Sequence, residues 1–263
     1  MAALTWLCEQ RERDELIFRV GRDGESLVAD FVGVGRLSAR PGDPAPTFEP
    51  YPDASPAAVA KLLEGPVPAL LRTLEGRLAL HGASAARNGR AIVCVGPSGA
   101  GKSTTIAELA RRAGVELVSD DAAALDAVEG RIQITPTEPT SWLLPAARRA
   151  LGLDASSEFK TRVAPRARCT GRPDVIAICG LTFDDSAEPS LRRLAGAEAF
   201  AVLAGCAVRF DIDDPTARVR ELEQLMEVCR RVSIFELRRP RALEKLSALG
   251  DLLEALLTAG GNP

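Results

Sequence analysis

Residues 96–103 match the phosphate-binding pattern G-x-x-x-x-G-K-[ST] at every fixed position. Glycines in such a loop let backbone N–H groups surround a β-phosphate, and the helix that follows adds the partial positive charge of its N-terminus. Lys102 can reach the β- and γ-phosphate oxygens, and Ser103 can offer its hydroxyl to Mg²⁺. A nucleoside triphosphate is therefore predicted to bind these loop residues and the adjoining threonine: Gly96, Pro97, Ser98, Gly99, Ala100, Gly101, Lys102, Ser103 and Thr104.

Two neighbouring carboxylates, Asp120 and Asp121, follow the apolar residues 115–118, which are predicted to form a buried strand. Ligands of open parallel sheets bind outside the carboxyl ends of the strands, so we expect these acids beside the phosphate loop. One acid can hold Mg²⁺ while the other accepts a proton from an attacking hydroxyl. The alternative is a solvated turn or a helix cap, which aspartate also supplies.

The chain has a single histidine, His81, and the predicted strand pairing directs it towards the phosphate loop. Asn88-Gly89 is the strongest two-residue hairpin signal in a sequence. With that turn Arg87 pairs with Arg90, and the same register continued outward places His81 opposite Gly96. A lone histidine is also common in a purely structural role, and the register leaves both roles open.

Residues 154–172 are polar and basic, and they show neither helical nor strand periodicity. They are therefore predicted to form a long loop. Basic side chains near a triphosphate can neutralise charge that develops in the transition state, but they can equally be a solvated surface. The basic residues that define this stretch are Lys160, Arg162, Arg166, Arg168 and Arg172.

A strand, the phosphate loop and a helix must follow one another to position these groups. A β-branched apolar run at residues 90–95 precedes the loop, and helical spacing over residues 102–113 follows it. The remaining pattern predicts alternating strands and helices. These are a hairpin over 122–135, strands at 175–181 and 232–237, and helices over 141–151, 190–204, 217–231 and from Pro240 onward.

The N-terminal part of the sequence has a different pattern. Residues 1–37 carry short apolar runs with a turn signal at residues 21–24, which predicts a small β subdomain. Residues 38–56 are rich in proline and predict a connector without helix. Gly65-Pro66 divides the helical pattern of residues 57–76 into two short helices. The predicted domains are an N-terminal β segment with its connector, 1–56, and a P-loop domain, 57–263.

The composition argues against several other classes of protein. The 263 residues, 46% hydrophobic and 26% charged, can bury a sizeable core. A formal net charge of −3 argues against a nucleic-acid partner. No apolar run reaches the length of a membrane span, and the N-terminus lacks the basic region of a signal peptide. Scattered cysteines and a single histidine argue against a zinc site, and the cysteines are expected to be reduced in the cytoplasm.

Three segments together resemble the catalytic domain of HPr kinase/phosphorylase and its HPr-kinase-like relatives. They are Leu80-His-Gly-Ala-Ser, the phosphate loop and Val118-Ser-Asp-Asp121, all within residues 78–125. A weaker similarity continues at Trp142 and Lys160. The resemblance implies an α/β fold, namely a P-loop kinase domain of the HPr kinase/phosphoenolpyruvate carboxykinase type with a mixed sheet, together with the small N-terminal β subdomain.

By this resemblance the chain is an ATP-dependent kinase that uses Mg²⁺ and transfers the γ-phosphoryl group of ATP to a hydroxyl. Lys102 and Ser103 match the family's phosphate and metal residues. His81 is expected to position or tune the acidic pair. Asp121 is expected to be the base and Asp120 the magnesium partner, although the two roles could be reversed.

The same resemblance suggests a basic clamp and an acceptor. Lys160 or Arg162 matches a basic residue that holds the γ-phosphate. HPr kinases have a larger N-terminal domain and a downstream docking signature for HPr that this sequence lacks. The chain is more similar in size and layout to shorter relatives in lasso peptide gene clusters, which phosphorylate a serine of the precursor. The expected acceptor is thus a serine on a peptide or small protein.

Two other functions remain open at the level of sequence. One is a kinase of a small metabolite, and the other is a regulator that binds ATP without transferring phosphate. The acidic pair argues against the regulator, because a sensor needs no base to activate a hydroxyl. Members of the resembled family form rings or dimers, which implies a homo-oligomer here as well.

Overall fold

A computed structural model describes residues 4–12, 14–40, 46–138, 140–184, 188–209 and 215–259. The chain forms two compact units. One consists of Met1–Arg77 with Val208–Glu221, and the other of Leu78–Ala207 with Leu222–Pro263. The division into domains at residue 56 stays a prediction. No helix in the described ranges is long and apolar enough to cross a bilayer.

The first unit contains an antiparallel sheet in which the strands lie in chain order. Its elements are β1 (Thr5–Glu12), β2 (Glu15–Asp23), β3 (Ser26–Phe31), β4 (Gly35–Ala39), β5 (Thr47–Pro50), α1 (Pro56–Glu64) and α2 (Pro66–Leu74). Phe18, Leu37 and Leu70 belong to its apolar core. The predicted small β subdomain, its hairpin and the two short helices are confirmed. The connector is not wholly irregular, because β5 lies within it and pairs with β4.

The second unit is built on a mixed sheet with the strand order β10-β9-β6-β7-β13-β15-β14, to which β8 adds by pairing with β6. Its strands are β6 (Ala79–Arg87), β7 (Arg90–Val95), β8 (Glu116–Ser119), β9 (Ala122–Val128), β10 (Arg131–Thr135), β13 (Asp174–Phe183), β14 (Ser190–Leu194) and β15 (Ser233–Arg239). A separate two-stranded sheet consists of β11 (Ser141–Leu143) and β12 (Thr161–Val163). The strands β7, β13 and β15 run parallel, whereas β6 and β14 are antiparallel to their neighbours. The predicted α/β class with a mixed sheet is confirmed.

Helices accompany both faces of this sheet, as the alternation of buried side chains on β7 requires. They are α3 (Lys102–Leu109), α4 (Pro145–Ala150), α5 (Gly196–Cys206), α6 (Pro215–Arg231) and α7 (Leu246–Ala259). Ile92 and Cys94 belong to a core cluster with residues of α3 and α7. Val93 and Val95 belong to another cluster, with residues of α5 and the C-terminal part of α6.

The predicted hairpin before the phosphate loop is confirmed in its register. Arg87 pairs with Arg90, and Gly82 pairs with Val95. Asn88 and Gly89 have φ angles of 52° and 73°, as a type I′ turn requires. The pairing ends there, so His81 does not pair with Gly96 but with Ala122, on the other edge of β6.

The direction of β8 brings the acidic residues to the phosphate loop. β8 is antiparallel to β6, and β6 is antiparallel to β7, so β8 and β7 run in the same direction. Their carboxyl ends therefore lie at the same edge of the sheet. Gly96 follows one strand and Asp120 follows the other at that edge.

Several predicted elements were wrong in type or extent. Residues 141–151 were expected to be one helix, but Ser141–Leu143 is a strand that pairs with β12, and the helix begins only at Pro145. β12 lies within the expected long loop of residues 154–172. Residues 190–194 form β14 rather than a helix. In each case tertiary pairing of a short segment outweighed the local pattern.

The hairpin turn gives a direct test of this architecture. Gly89→Ala is expected to lower the free energy of unfolding by about 1 kcal/mol, because its φ of +73° strains any residue with a Cβ. Gly205→Ala is the matched control, since an added Cβ again meets nothing within 4 Å but the helical backbone is ordinary. We expect it to raise stability by about 0.5 kcal/mol. Urea unfolding measures both, and equal effects would contradict the assigned turn.

Candidate active site

The phosphate loop has the backbone that its glycines permit. Gly99 and Gly101 have φ angles of 81° and 90°, and Gly101 is the N-cap residue directly before α3. Lys102 is only 6% exposed, and its Nζ donates to the carbonyl oxygens of Gly96 at 2.8 Å and Pro97 at 3.0 Å. Burial lowers the pKa of Lys102. The ammonium group thus lies across the loop, held by acceptors that phosphate oxygens can replace.

A buried arginine that the sequence did not single out supports the loop. Arg239, at the end of β15, donates from Nη1 to Thr105 Oγ1 at 3.3 Å and from Nε to the Pro240 carbonyl oxygen at 3.2 Å. A Cβ at Gly101 would lie 2.3 Å from Arg239 Nη1. Glycine at this position therefore serves close packing as well as the turn. Burial lowers the pKa of Arg239.

Asp120 is buried next to the loop, with 3% of its surface exposed. Its Oδ2 accepts a hydrogen bond from the Trp142 N–H at 2.8 Å. Its Oδ1 is also buried, and no described residue donates a hydrogen bond to it. Burial raises the pKa of Asp120 to about 6, although the Trp142 N–H and the Ser103 hydroxyl act to lower it.

These features fit the Mg²⁺ that the sequence predicts. An unsatisfied buried carboxylate oxygen beside a hydroxyl of the phosphate loop supplies the oxygen ligands that Mg²⁺ prefers. Asp120 and Ser103 would hold the ion, which would neutralise charge on the phosphate oxygens. The assignment of these two residues to a metal stays a prediction.

Asp121 lies in a more open environment than Asp120. Its side chain is 43% exposed, and its Oδ1 lies 3.6 Å from His81 Nδ1. His81 Nδ1 is also 3.1 Å from the carbonyl oxygen of Asp121. A carbonyl oxygen can only accept, so Nδ1 carries the proton and donates it. Burial lowers the pKa of His81, and the charge of Lys102 lowers it further.

Glu138 is a buried acid of this site that sequence reasoning missed. Its Oε2 accepts from the Asp120 N–H at 3.1 Å and its Oε1 from the Ala122 N–H at 3.3 Å. The carboxylate therefore holds the backbone on both sides of Asp121. The Thr137 hydroxyl donates to it as well. Burial raises the pKa of Glu138 to about 7.

No local signal in the sequence identifies Glu138. It lies in a Pro- and Thr-containing connector after β10, where a glutamate would ordinarily be solvated. Glu138 is buried because this connector runs past the carboxyl end of β8. Thr137 shows the same return, since its N–H donates to the Val118 carbonyl oxygen at 3.3 Å.

Lys160 acts electrostatically on residues of this site, and Arg162 contacts Thr140 and Trp142 beside it. The charge of Lys160 acts to lower the pKa values of His81, Lys102 and Asp120. The Arg162 Nε donates to Thr140 Oγ1 at 3.3 Å, and its guanidinium lies 6.0 Å from the Trp142 ring. Lys160 is exposed, so its ammonium has the freedom to approach a bound phosphate.

An open cavity of about 380 Å³ adjoins the first residues of the phosphate loop. Leu181, Leu194 and Val202 give it apolar walls, and Gly96 and Pro97 form the side next to the loop. Its charged rim is internally paired, with Arg192 bound to Glu198 and Glu236. The space therefore suits a group of mostly apolar character that approaches the phosphate site.

The glycine loop, its lysine and the acids at the same edge of a mixed sheet define a P-loop nucleotide-binding domain of the kinase-like type. A family model described as "AAA domain" matches residues 92–234, which is more than half of the chain. The chain belongs to this AAA domain family.

Among solved structures, the chain is similar to a distantly related protein. It is the HPr(Ser) kinase/phosphatase from Coxiella burnetii, with a TM-score of 0.35 and 12% sequence identity over 69% of this chain and 97% of that chain. No curated protein matches the sequence. What the site does therefore rests on its own residues.

The burial of Asp120 and Glu138 predicts how stability depends on pH. Their ordinary pKa values are 3.8 and 4.5, and burial raises them to about 6 and about 7. Between about pH 4 and pH 7 the folded chain therefore binds more protons than the unfolded chain, and its stability falls as the pH rises. For Glu138 this loss amounts to about 3 kcal/mol.

Glu138→Gln is expected to remove that part of the pH dependence. At pH 5 the variant is less stable by about 1–3 kcal/mol, because an amide cannot accept from both N–H groups. At pH 8 the difference in stability between wild type and variant shrinks. The wild type then buries the charge of Glu138, whereas the variant buries a neutral amide. Thermal unfolding between pH 5 and pH 8 measures the effect, with the exposed Glu158→Gln as the control. Parallel profiles for the two variants would contradict the buried position of Glu138.

Proposed function

We propose that the chain is an ATP-dependent kinase that transfers the γ-phosphoryl group to a serine hydroxyl of a peptide or small protein. The hydroxyl oxygen attacks the γ-phosphorus, the bond to the bridging oxygen breaks, and ADP leaves. The hydroxyl proton passes to Asp121. Lys102 and the loop N–H groups bind the phosphates, and the positive charge of Lys160 balances the charge on the transferred group.

The observation that carries this proposal is the difference between the two neighbouring acids. Asp120 is buried beside Ser103 with an unsatisfied oxygen, as a metal ligand would be. Asp121 is exposed enough to meet an incoming hydroxyl. A protein that only bound the nucleotide would need the first acid and not the second.

His81 supports Asp121 as a positioning residue. Its Nδ1–H donates to the Asp121 carbonyl oxygen and lies near the carboxylate, so the ring restrains both. Because burial lowers the pKa of His81, the ring is neutral near pH 7 and does not compete as an acid. This arrangement leaves the carboxylate of Asp121 free to act as the base.

A peptide or small protein is preferred over a metabolite as the acceptor for two reasons. The motifs at His81, the phosphate loop and Asp121 resemble those of HPr-kinase-like kinases. The size and layout of the chain are more similar to the shorter relatives in lasso peptide clusters, which phosphorylate a serine of the precursor. A cavity also adjoins Gly96 and Pro97 of the phosphate loop, and we propose that it receives a peptide side chain next to the serine. We propose that the kinase acts in the cytoplasm, where ATP is available.

Removing the base separates transfer from binding. Asp121→Asn is expected to keep the affinity for Mg²⁺-ATP within about twofold and to lower kcat by a factor of about 10²–10⁴, the range of general base catalysis. Lys102→Ala is expected to weaken both nucleotide binding and transfer, because it removes the positively charged ammonium group that interacts with the phosphates. Calorimetric titration and single-turnover kinetics measure the two effects. Full transfer by Asp121→Asn would remove this residue as the base.

The acceptor class is tested with γ-labelled ATP. Incubation of the chain with a serine-containing peptide pool, a cytoplasmic protein fraction and a metabolite pool is expected to label a peptide or protein on serine. Label in a small molecule would instead show a metabolite kinase. Tight ATP binding without label in any pool would contradict the kinase and support a nucleotide-binding regulator. Asp121→Asn is the control for contaminating kinases.

A further inference from the structure

A second concave surface lies at the far end of α3 from the phosphate loop. Four arginines from three separate segments line this cleft of about 910 Å³. Arg111 and Arg112 follow α3, Arg149 is near the end of α4, and Arg166 follows β12. We call these four residues and the space between them the arginine cleft.

The charges of the arginine cleft are only partly balanced by the chain itself. Arg112 lies 3.1 Å from Glu108 and 3.0 Å from Asp251, so its charge is paired. Arg111 lies 3.5 Å from the same Glu108. Arg149 and Arg166 have no carboxylate within 4 Å in the part of the chain that the structure describes. Glu108 thus serves two guanidinium groups, and Glu244 is the other acid that lines the cleft. Four arginines therefore face two glutamates, so the lining keeps an excess of positive charge.

Helix ends alone do not explain this arrangement. Cations are favourable in the last turn of a helix, which accounts for Arg149 on α4 and for Arg111 after α3. Arg166 belongs to neither helix, yet its Nη1 donates to the Arg111 carbonyl oxygen at 3.1 Å. This bond holds a further positive charge beside Arg111 in the same concavity. Like charges held together in this way repel one another unless an anion lies between them.

We propose that the arginine cleft binds an acidic segment of the acceptor polypeptide. Guanidinium groups recognise carboxylates through paired N–H donors, and those of Arg149 and Arg166 remain available for this. A wide, open cleft lined from three segments fits an extended chain with several carboxylates better than one small anion. The identity of the ligand as the acceptor rests on the proposed kinase function, whereas binding of the acidic segment does not.

The spacing between the two sites is compatible with one ligand. The rise along α3 from Lys102 to Leu109 is roughly 11 Å, and Arg111 lies two residues beyond the end of the helix. An extended peptide covers that distance in about four residues. An acceptor whose acidic residues begin about four or more positions from its serine can therefore reach the cleft and the phosphate loop together.

Direct binding tests the cleft without requiring transfer. The probe is a fluorescent peptide of alternating glutamate and glycine, followed by anisotropy at moderate salt, with a lysine–glycine peptide as the comparison. We expect the wild-type chain to bind the acidic peptide, and Arg149→Glu combined with Arg166→Glu to weaken binding at least about tenfold. The control, Arg22→Glu combined with Arg40→Glu, makes the same change of charge on exposed residues of the other compact unit and is expected to bind as wild type does.

A second variant distinguishes a loss of binding from a disturbance of the fold. Arg166 bonds to the backbone, so its replacement could disturb the cleft, but Arg149 makes no such bond in the described ranges. Arg149→Glu alone is expected to weaken peptide binding about threefold or more while ATP binding stays unchanged. Thermal stability is expected to fall only slightly, because the replaced charge lies in the last turn of the short helix α4. Equal peptide binding by wild type, the cleft variants and the control would overturn the proposal. So would preferential binding of inorganic phosphate or of a single-stranded oligonucleotide at the cleft.

The outcome is separable from that of the kinase proposal. Peptide binding at the cleft without labelling of any acceptor would leave the cleft intact and contradict the kinase. Labelling of a serine peptide that is unaffected by the cleft variants would support the kinase and overturn the cleft as its docking site. Loss of labelling at low but not at saturating acceptor concentration, through a raised KM, is the result expected if both hold.

Discussion

The carbonyl oxygen of Asp121 accepts hydrogen bonds from two neighbouring residues of β6, the Gly82 N–H and the His81 ring. The same strand pairs along its other edge with β7, which leads directly into the phosphate loop. One strand therefore sets the distance between the acids and the loop. The arrangement depends on this double attachment, because neither Asp121 nor Gly96 belongs to a strand.

The residues attached in this way include two acids whose burial is electrostatically unfavourable. Asp120 and Glu138 are buried next to each other, and burial raises the pKa of both. Buried acids of this kind are retained where a cation or a proton-coupled step uses them. In the proposed function, Lys102 and a metal ion on Asp120 would supply positive charge next to these acids once a nucleotide binds. Without a bound cation, the two buried carboxylates lower the stability of the folded chain. The proposed metal ion would offset this cost.

Sequence reasoning succeeded where contiguous residues carry the whole signal. The glycine loop and the hairpin at Asn88-Gly89 were predictable because their chemistry is local. Reasoning failed at residues 141–143, which looked helical but form a strand against β12. That strand matters to the site, since the Trp142 N–H binds Asp120. The pairing of His81 with Ala122 rather than Gly96 was missed for the same reason, because it involves a third strand.

The sequence by itself determined a phosphate loop on a strand and a helix, with an acidic pair and one histidine available to it. Only the tertiary structure decided that Glu138 clamps the acidic turn, that Arg239 packs under Gly101, and that four arginines meet in one cleft. These contacts join residues far apart in the chain, and each depends on where a connector returns to the sheet. Local periodicity carries no information on such returns, because the packing of the whole unit fixes them.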